Sequence, residues 1–96
     1  MFVVILTYTK PLAEVDVHLT DHRAWLRGQY DAGVFIASGR QAPPVGGVIL
    51  ARAESLEALR AVLALDPFNI NGVASYEVIE FTPSLTHADF AGLKET

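Results

Sequence analysis

Two side chains in this sequence are of the right types to hand a proton between them, His22 and Asp66. Histidine is the side chain that exchanges protons near neutral pH. A carboxylate against its ring fixes the tautomer and stabilises the imidazolium, which makes the imidazole a better general base. Each residue also has a plainer explanation. His22 lies between Leu19 and Leu26 on the apolar side of a helical pattern, where a half-buried histidine needs no more than a hydrogen-bond partner. Asp66 precedes Pro67, and Asp-Pro commonly opens a turn. Residue chemistry by itself leaves both explanations open. The position of Asp66 adds a reason to look for a partner. It falls where an apolar helix must stop, and a carboxylate there opposes the helix dipole. A histidine on a neighbouring helix would supply the compensating charge.

Other candidates are weaker. His18 and His22 are four apart and would stack on one helix face, a spacing that can hold a metal. The intervening residues are Leu19-Thr20-Asp21, so the zincin glutamate is missing, and a third ligand would have to come from elsewhere. No metal is expected, and His18 reads as a pocket wall or an exposed residue. Ser38, Gly39 and Arg40 end an apolar run. Gly39 would let a backbone approach a ligand, and Arg40 would meet an anion. An ordinary strand end with a solvated arginine fits equally well. There is no Gly-x-Gly-x-x-Gly, no phosphate-loop lysine and no Gly-x-Ser-x-Gly elbow, and Gly46-Gly47 reads as a turn. No cofactor is expected.

The elements that must position these residues follow from periodicity. Residues 2–8 are β-branched and aromatic without alternation, which predicts a central strand apolar on both faces. Residues 17–32 repeat apolar positions three to four apart and predict a helix, with Asp16 as its cap and Gly33 as its stop. Residues 34–38 and 48–53 read as strands joined by a loop over 39–47. Ser55 caps a second helix with a stripe of Leu56, Leu59, Val62 and Leu63, ended by Pro67. A turn over 69–72 leads to a strand over 75–82, with Tyr76 and Val78 on one face and Ile79 and Phe81 on the other. The tail, 84–96, is polar, and 86–93 could form a short helix.

The order βαββαβ is that of an α+β ferredoxin-like fold, a four-stranded antiparallel sheet with two helices on one face. Two helices cover one sheet face, yet the first strand and residues 48–51 are apolar on both. The open face needs a cover, and a second copy of the chain is the simplest one. A homodimer is therefore expected. The 96 residues make one domain, 1–96, with a core of about 2–83. Half the residues are hydrophobic, so a packed core is affordable and disorder is not expected. The absence of cysteine removes disulfides and thiolate chemistry. A net charge of -4 argues against nucleic-acid binding, and the strand over 48–53 lacks the aromatics that RNA readers of this fold stack on bases. The apolar run at 2–6 is too short to span a bilayer and lacks a basic flank, so a cytoplasmic protein without a membrane partner is expected.

Five stretches together resemble the YciI-like (YCII-related) family: Asp21-His22-Arg23-Ala24-Trp25-Leu26, Gly33-Val34-Phe35-Ile36-Ala37-Ser38-Gly39, Gly46-Gly47-Val48-Ile49-Leu50-Ala51, Leu65-Asp66-Pro67-Phe68 and Tyr76-Glu77-Val78-Ile79-Glu80-Phe81. The resemblance spans about residues 2 to 83. It implies a dimeric α+β barrel of the muconolactone isomerase type. It also implies a pocket with a catalytic His–Asp pair, falling on His22 and Asp66. His18, Ser38, Gly39, Arg40 and Phe68 are expected to form the substrate-binding wall. Where the family often has proline after the strand glycine, this chain has Arg40, which would make the rim more basic. Some members resemble lyases or dehydrochlorinases of ring compounds. The expectation is thus a cofactor-free lyase or isomerase that moves a proton on a small, ring-containing molecule. A non-catalytic module that binds a small molecule in the same pocket is the rival.

Overall fold

The structure, a computed structural model, describes residues 1–95. Four strands, β1 (Phe2–Tyr8), β2 (Phe35–Arg40), β3 (Gly46–Ala51) and β4 (Ala74–Glu80), form one antiparallel sheet in the order β2-β3-β1-β4. The helices are α1 (Leu12–Asp16), α2 (Leu19–Asp31), α3 (Leu56–Leu63) and α4 (Pro67–Ile70). This is the α+β ferredoxin-like arrangement, with each of the two expected helices followed or preceded by a short extra one.

The sheet's two faces are set by the period of two along β1. Phe2, Val4 and Leu6 are buried against the helices. Each is worth about 1.5–3 kcal/mol when taken from water. Val4 pairs with Ile49 on one side and Val78 on the other, so three adjacent strands lay apolar side chains on this face. Val15, Leu59, Leu63 and Phe68 close over them from the helices. The opposite face carries Val3, Ile5, Val48, Leu50 and Ile79, in register across the same strands.

Several boundaries depart from expectation. The helix expected over 17–32 is α2, Leu19–Asp31, a separate short helix, α1, precedes it, and Asp16 does not cap α2. It ends α1, and its carboxylate receives Arg40 instead. β2 runs on through Gly39 and Arg40, because those residues pair with Val48 and Gly47 of β3. Gly46 and Gly47 are therefore strand and not turn. Gly46 is required there: a Cβ on it would lie 1.7 Å from the Leu6 carbonyl oxygen. Gln41 secures the loop by donating from Nε2 to the carbonyls of Leu6 and Gly47. Ser55 caps α3 as expected, accepting from the Ala58 amide, and Gly33 takes a left-handed φ of 77° after α2. β4 is shifted, at Ala74–Glu80, with Tyr76 and Val78 towards the helices. The expected tail helix over 86–93 is a kinked 3-10 stretch, Ala88–Glu95. The tail's Leu85, Phe90 and Leu93 share a groove with Leu50 and Phe81 at one end of the sheet's open face. Thr96 lies outside the described residues. Among the described residues, no helix is long and apolar enough to cross a membrane.

Candidate active site

Asp66 is not the end of a helix. α3 stops at Leu63, and Asp66 is the N-cap of α4, with extended backbone angles (φ -61°, ψ 125°) and Pro67 in the first helical position. Proline imposes both features: it pushes its predecessor out of the α region, and its own fixed φ suits a helix start. The Asp66 carboxylate accepts from the Phe68 amide at 3.0 Å. The expected opposition to a helix dipole is thereby reversed, since a cap carboxylate sits at the favourable end.

The same carboxylate reaches two side chains. Its Oδ1 lies 2.7 Å from His22 Nδ1, and its Oδ2 accepts from the Tyr76 hydroxyl at 2.6 Å. Asp66 is fully buried and His22 is 9% exposed. Removing a carboxylate from water costs several kcal/mol unless partners replace the water, and three donors do so here. Burial, first, and then the hydrogen bond to Asp66 push the Tyr76 phenol well above its ordinary range, so it stays a donor. With Asp66 ionised, the imidazole donates from Nδ1 and keeps its lone pair on Nε2. Packing fixes the ring as well: it stacks on Phe68 with centroids 3.9 Å apart and planes 2° from parallel, and Trp25 lies against it at 5.6 Å.

His22 lines a half-open cavity of about 280 Å³. Leu6, Leu19, Leu26, Ile49 and Phe68 give it apolar walls. Ser38, Gly39 and Arg40 also line it, and His18 does not. His18 is half-buried just before α2, its carbonyl accepts the His22 amide, and its side chain is not among the lining residues. Ser38 is engaged, its hydroxyl sharing a 2.6 Å hydrogen bond with that of Tyr30. At the rim, Arg40 donates from Nε to the Tyr8 hydroxyl at 3.0 Å and from a terminal nitrogen to Asp16 at 2.7 Å. Those two bonds raise the already high guanidinium pKa. Among the described residues, no group of three or more histidines and carboxylates is arranged to hold a metal.

The residues that pattern reading passed over are Tyr76, Tyr8 and Arg23. Tyr76 carried a signal, since its period-two pairing with Val78 turned it towards the helices. Tyr8 and Arg23 carried none, because a strand-end tyrosine and an exposed helical arginine look alike whether or not a cavity lies beside them.

The sequence pattern of the YCII-related domain matches residues 1–82, and the chain belongs to that family. No curated protein matches it. Among solved structures, it is similar to the 5-chloro-2-hydroxyhydroquinone dehydrochlorinase of Burkholderia phenoliruptrix AC1100, determined in complex with 2,5-dihydroxybenzoquinone. The TM-score is 0.69 at 18% identity, over 84% of this chain and 93% of that one. At that identity the likeness is one of fold.

Proposed function

We propose that the protein is a cofactor-free lyase or isomerase in which His22 moves a proton on a small ring-containing molecule. The observation that carries this reading is the 2.7 Å contact between His22 Nδ1 and a fully buried Asp66, with the imidazole facing a cavity. Nε2 takes a proton from the substrate, and the imidazole becomes imidazolium. The electron pair left behind either expels a leaving group from the adjacent carbon or shifts a double bond. The imidazolium then returns its proton to the product or the departing group. His22 is the catalytic residue. Asp66 acts through it, holding the tautomer and balancing the positive charge. Positioned proton transfer of this kind contributes about 100- to 10,000-fold. The similar fold of a dehydrochlorinase supports an elimination on a hydroxylated ring as the first reaction to try.

The test is a panel of chlorinated hydroquinones and small unsaturated lactones, followed by absorbance and chloride release. Wild type should turn over at least one member, with His22→Ala slower by about 100-fold or more. Binding without turnover across the panel would favour the non-catalytic module. Turnover that survives His22→Ala would move the chemistry elsewhere.

The proposal extends to assembly. Val48, Ile79 and Phe81 are exposed on the sheet's open face, and a second copy laid across it would complete a dimeric α+β barrel.

A further inference from the structure

The residues lining the cavity differ in kind from the chain as a whole. The protein carries a net -4, yet the acid–base and charged groups lining the cavity are Tyr8, His22, Arg23 and Arg40, and none of the lining residues is a carboxylate. Asp66 is fully buried, in hydrogen-bond contact with the His22 ring. Asp16 does not line the cavity. It forms a part-exposed ion pair with Arg40 from outside, which orients the guanidinium and offsets part of its charge, while the Tyr8 hydroxyl holds its Nε edge. The Arg40 Cζ sits 5.6 Å from the Tyr8 ring centroid, and the Tyr8 ring meets Phe68 edge-on at 6.0 Å. A guanidinium has five donors in a rigid fork. Nε and one terminal nitrogen are engaged, and among the described residues the second terminal nitrogen has no partner. The result is an anchored guanidinium lining the same cavity as the stacked Phe68 and His22 rings.

We propose that this cavity selects a single-ring molecule bearing a negatively charged oxygen, which Arg40 binds with Arg23 beside it while the ring lies near His22. The inference rests on the cavity being the reaction site and adds the charge of what enters it. About 280 Å³ is at the low end of ligand pockets and leaves room for one ring with small substituents. Charge-assisted hydrogen bonds are about twice as strong as neutral ones, so an ionised oxygen is favoured over an amide of the same shape. The placement also serves the chemistry. Loss of a proton to His22 drives electron density into the ring, and a cation lining the same cavity stabilises it.

Benzoate and benzamide match in ring and size and differ in charge. Their binding is to be followed by calorimetry and by NMR shifts of the cavity residues, in wild type, Arg40→Met and Arg23→Gln. Benzoate should bind about 10-fold or more tighter than benzamide, a difference of about 1.4 kcal/mol. The gap should collapse in Arg40→Met and narrow in Arg23→Gln. Equal affinities in wild type, or a gap that survives both substitutions, would overturn the anion preference and leave the cavity as a site. If neither compound at millimolar concentration shifts His22 or Phe68 signals, the anion preference falls, and the turnover panel alone decides the reaction. Should Arg40→Met not fold, wild type decides alone. The gap must shrink between about 10 mM and 1 M salt, over which the screening length falls from about 30 Å to 3 Å. A gap unchanged by salt would overturn it.

Discussion

The carboxylate of Asp66 serves two masters through one oxygen. Oδ1 meets both the Phe68 amide and the His22 ring, so the backbone bond that starts α4 also aims the acceptor at the imidazole. Tyr76 holds the other oxygen. Replacing Asp66 with Asn keeps the shape and removes the charge that stabilises imidazolium, so turnover should fall about 100-fold or more, measured on whichever panel compound wild type converts. Tyr76 gives a pH signature with a definite sign. Its phenol titrates near 10.0 when unfolded and higher when folded, so folded molecules retain a proton that unfolded ones release. Its contribution to stability is complete below pH 10 and declines as pH rises above it. Denaturation midpoints of wild type should therefore fall more steeply above pH 10 than those of Tyr76→Phe, and parallel curves would contradict the Tyr76–Asp66 bond. The residue types of the pair were legible in the sequence, because a histidine in an apolar stripe and an aspartate before proline both invite a partner. The reason first assigned to Asp66 was not. The end of α3 at Leu63, before Asp66, depends on how the chain turns to bury Phe68, which no local pattern records.

At the scale of elements, the site depends on close strand approach and on one aromatic ring. Gly46 faces the Leu6 carbonyl too closely for any side chain, so Gly46→Ala should destabilise by about 3 kcal/mol or prevent folding, as seen by chemical denaturation. Phe68→Ala removes a fully buried ring that also stacks on His22, and should cost about 3–5 kcal/mol. By contrast, Ser55→Ala should cost about 1 kcal/mol, the ordinary value of a helix cap far from the cavity. Element types followed from periodicity, which is why strand, helix and strand order was readable. Boundaries near the site did not. Ser38-Gly39-Arg40 looks like a strand end by propensity, but pairing with Gly47 and Val48 extends it and brings Arg40 to the cavity rim. Pairing between distant segments outweighed local preference there, as it did at Gly46-Gly47.

At the scale of the molecule, the element order made the fold class legible, and the β1 pattern, apolar on both faces, called for cover on both sides. The helices supply one cover. The tail reaches only one end of the other face, at Leu50 and Phe81, and leaves Val48 and Ile79 exposed. Sedimentation at micromolar concentration should accordingly give a dimer. Ile79→Arg, which places a charge on that face at the edge strand β4, should shift it to monomer while leaving the fold intact by circular dichroism. A monomeric wild type would mean that the open face is left to solvent.

The central claim is that Asp66 holds His22 ready to accept a proton from the cavity. It is tested most directly by nitrogen-resolved NMR of the His22 ring at about pH 9, above the ordinary histidine range. The ring should be neutral and protonated on Nδ1, with a slowly exchanging, low-field proton that disappears in Asp66→Ala. A ring protonated on Nε2, or an Nδ1 proton indifferent to Asp66, would contradict it.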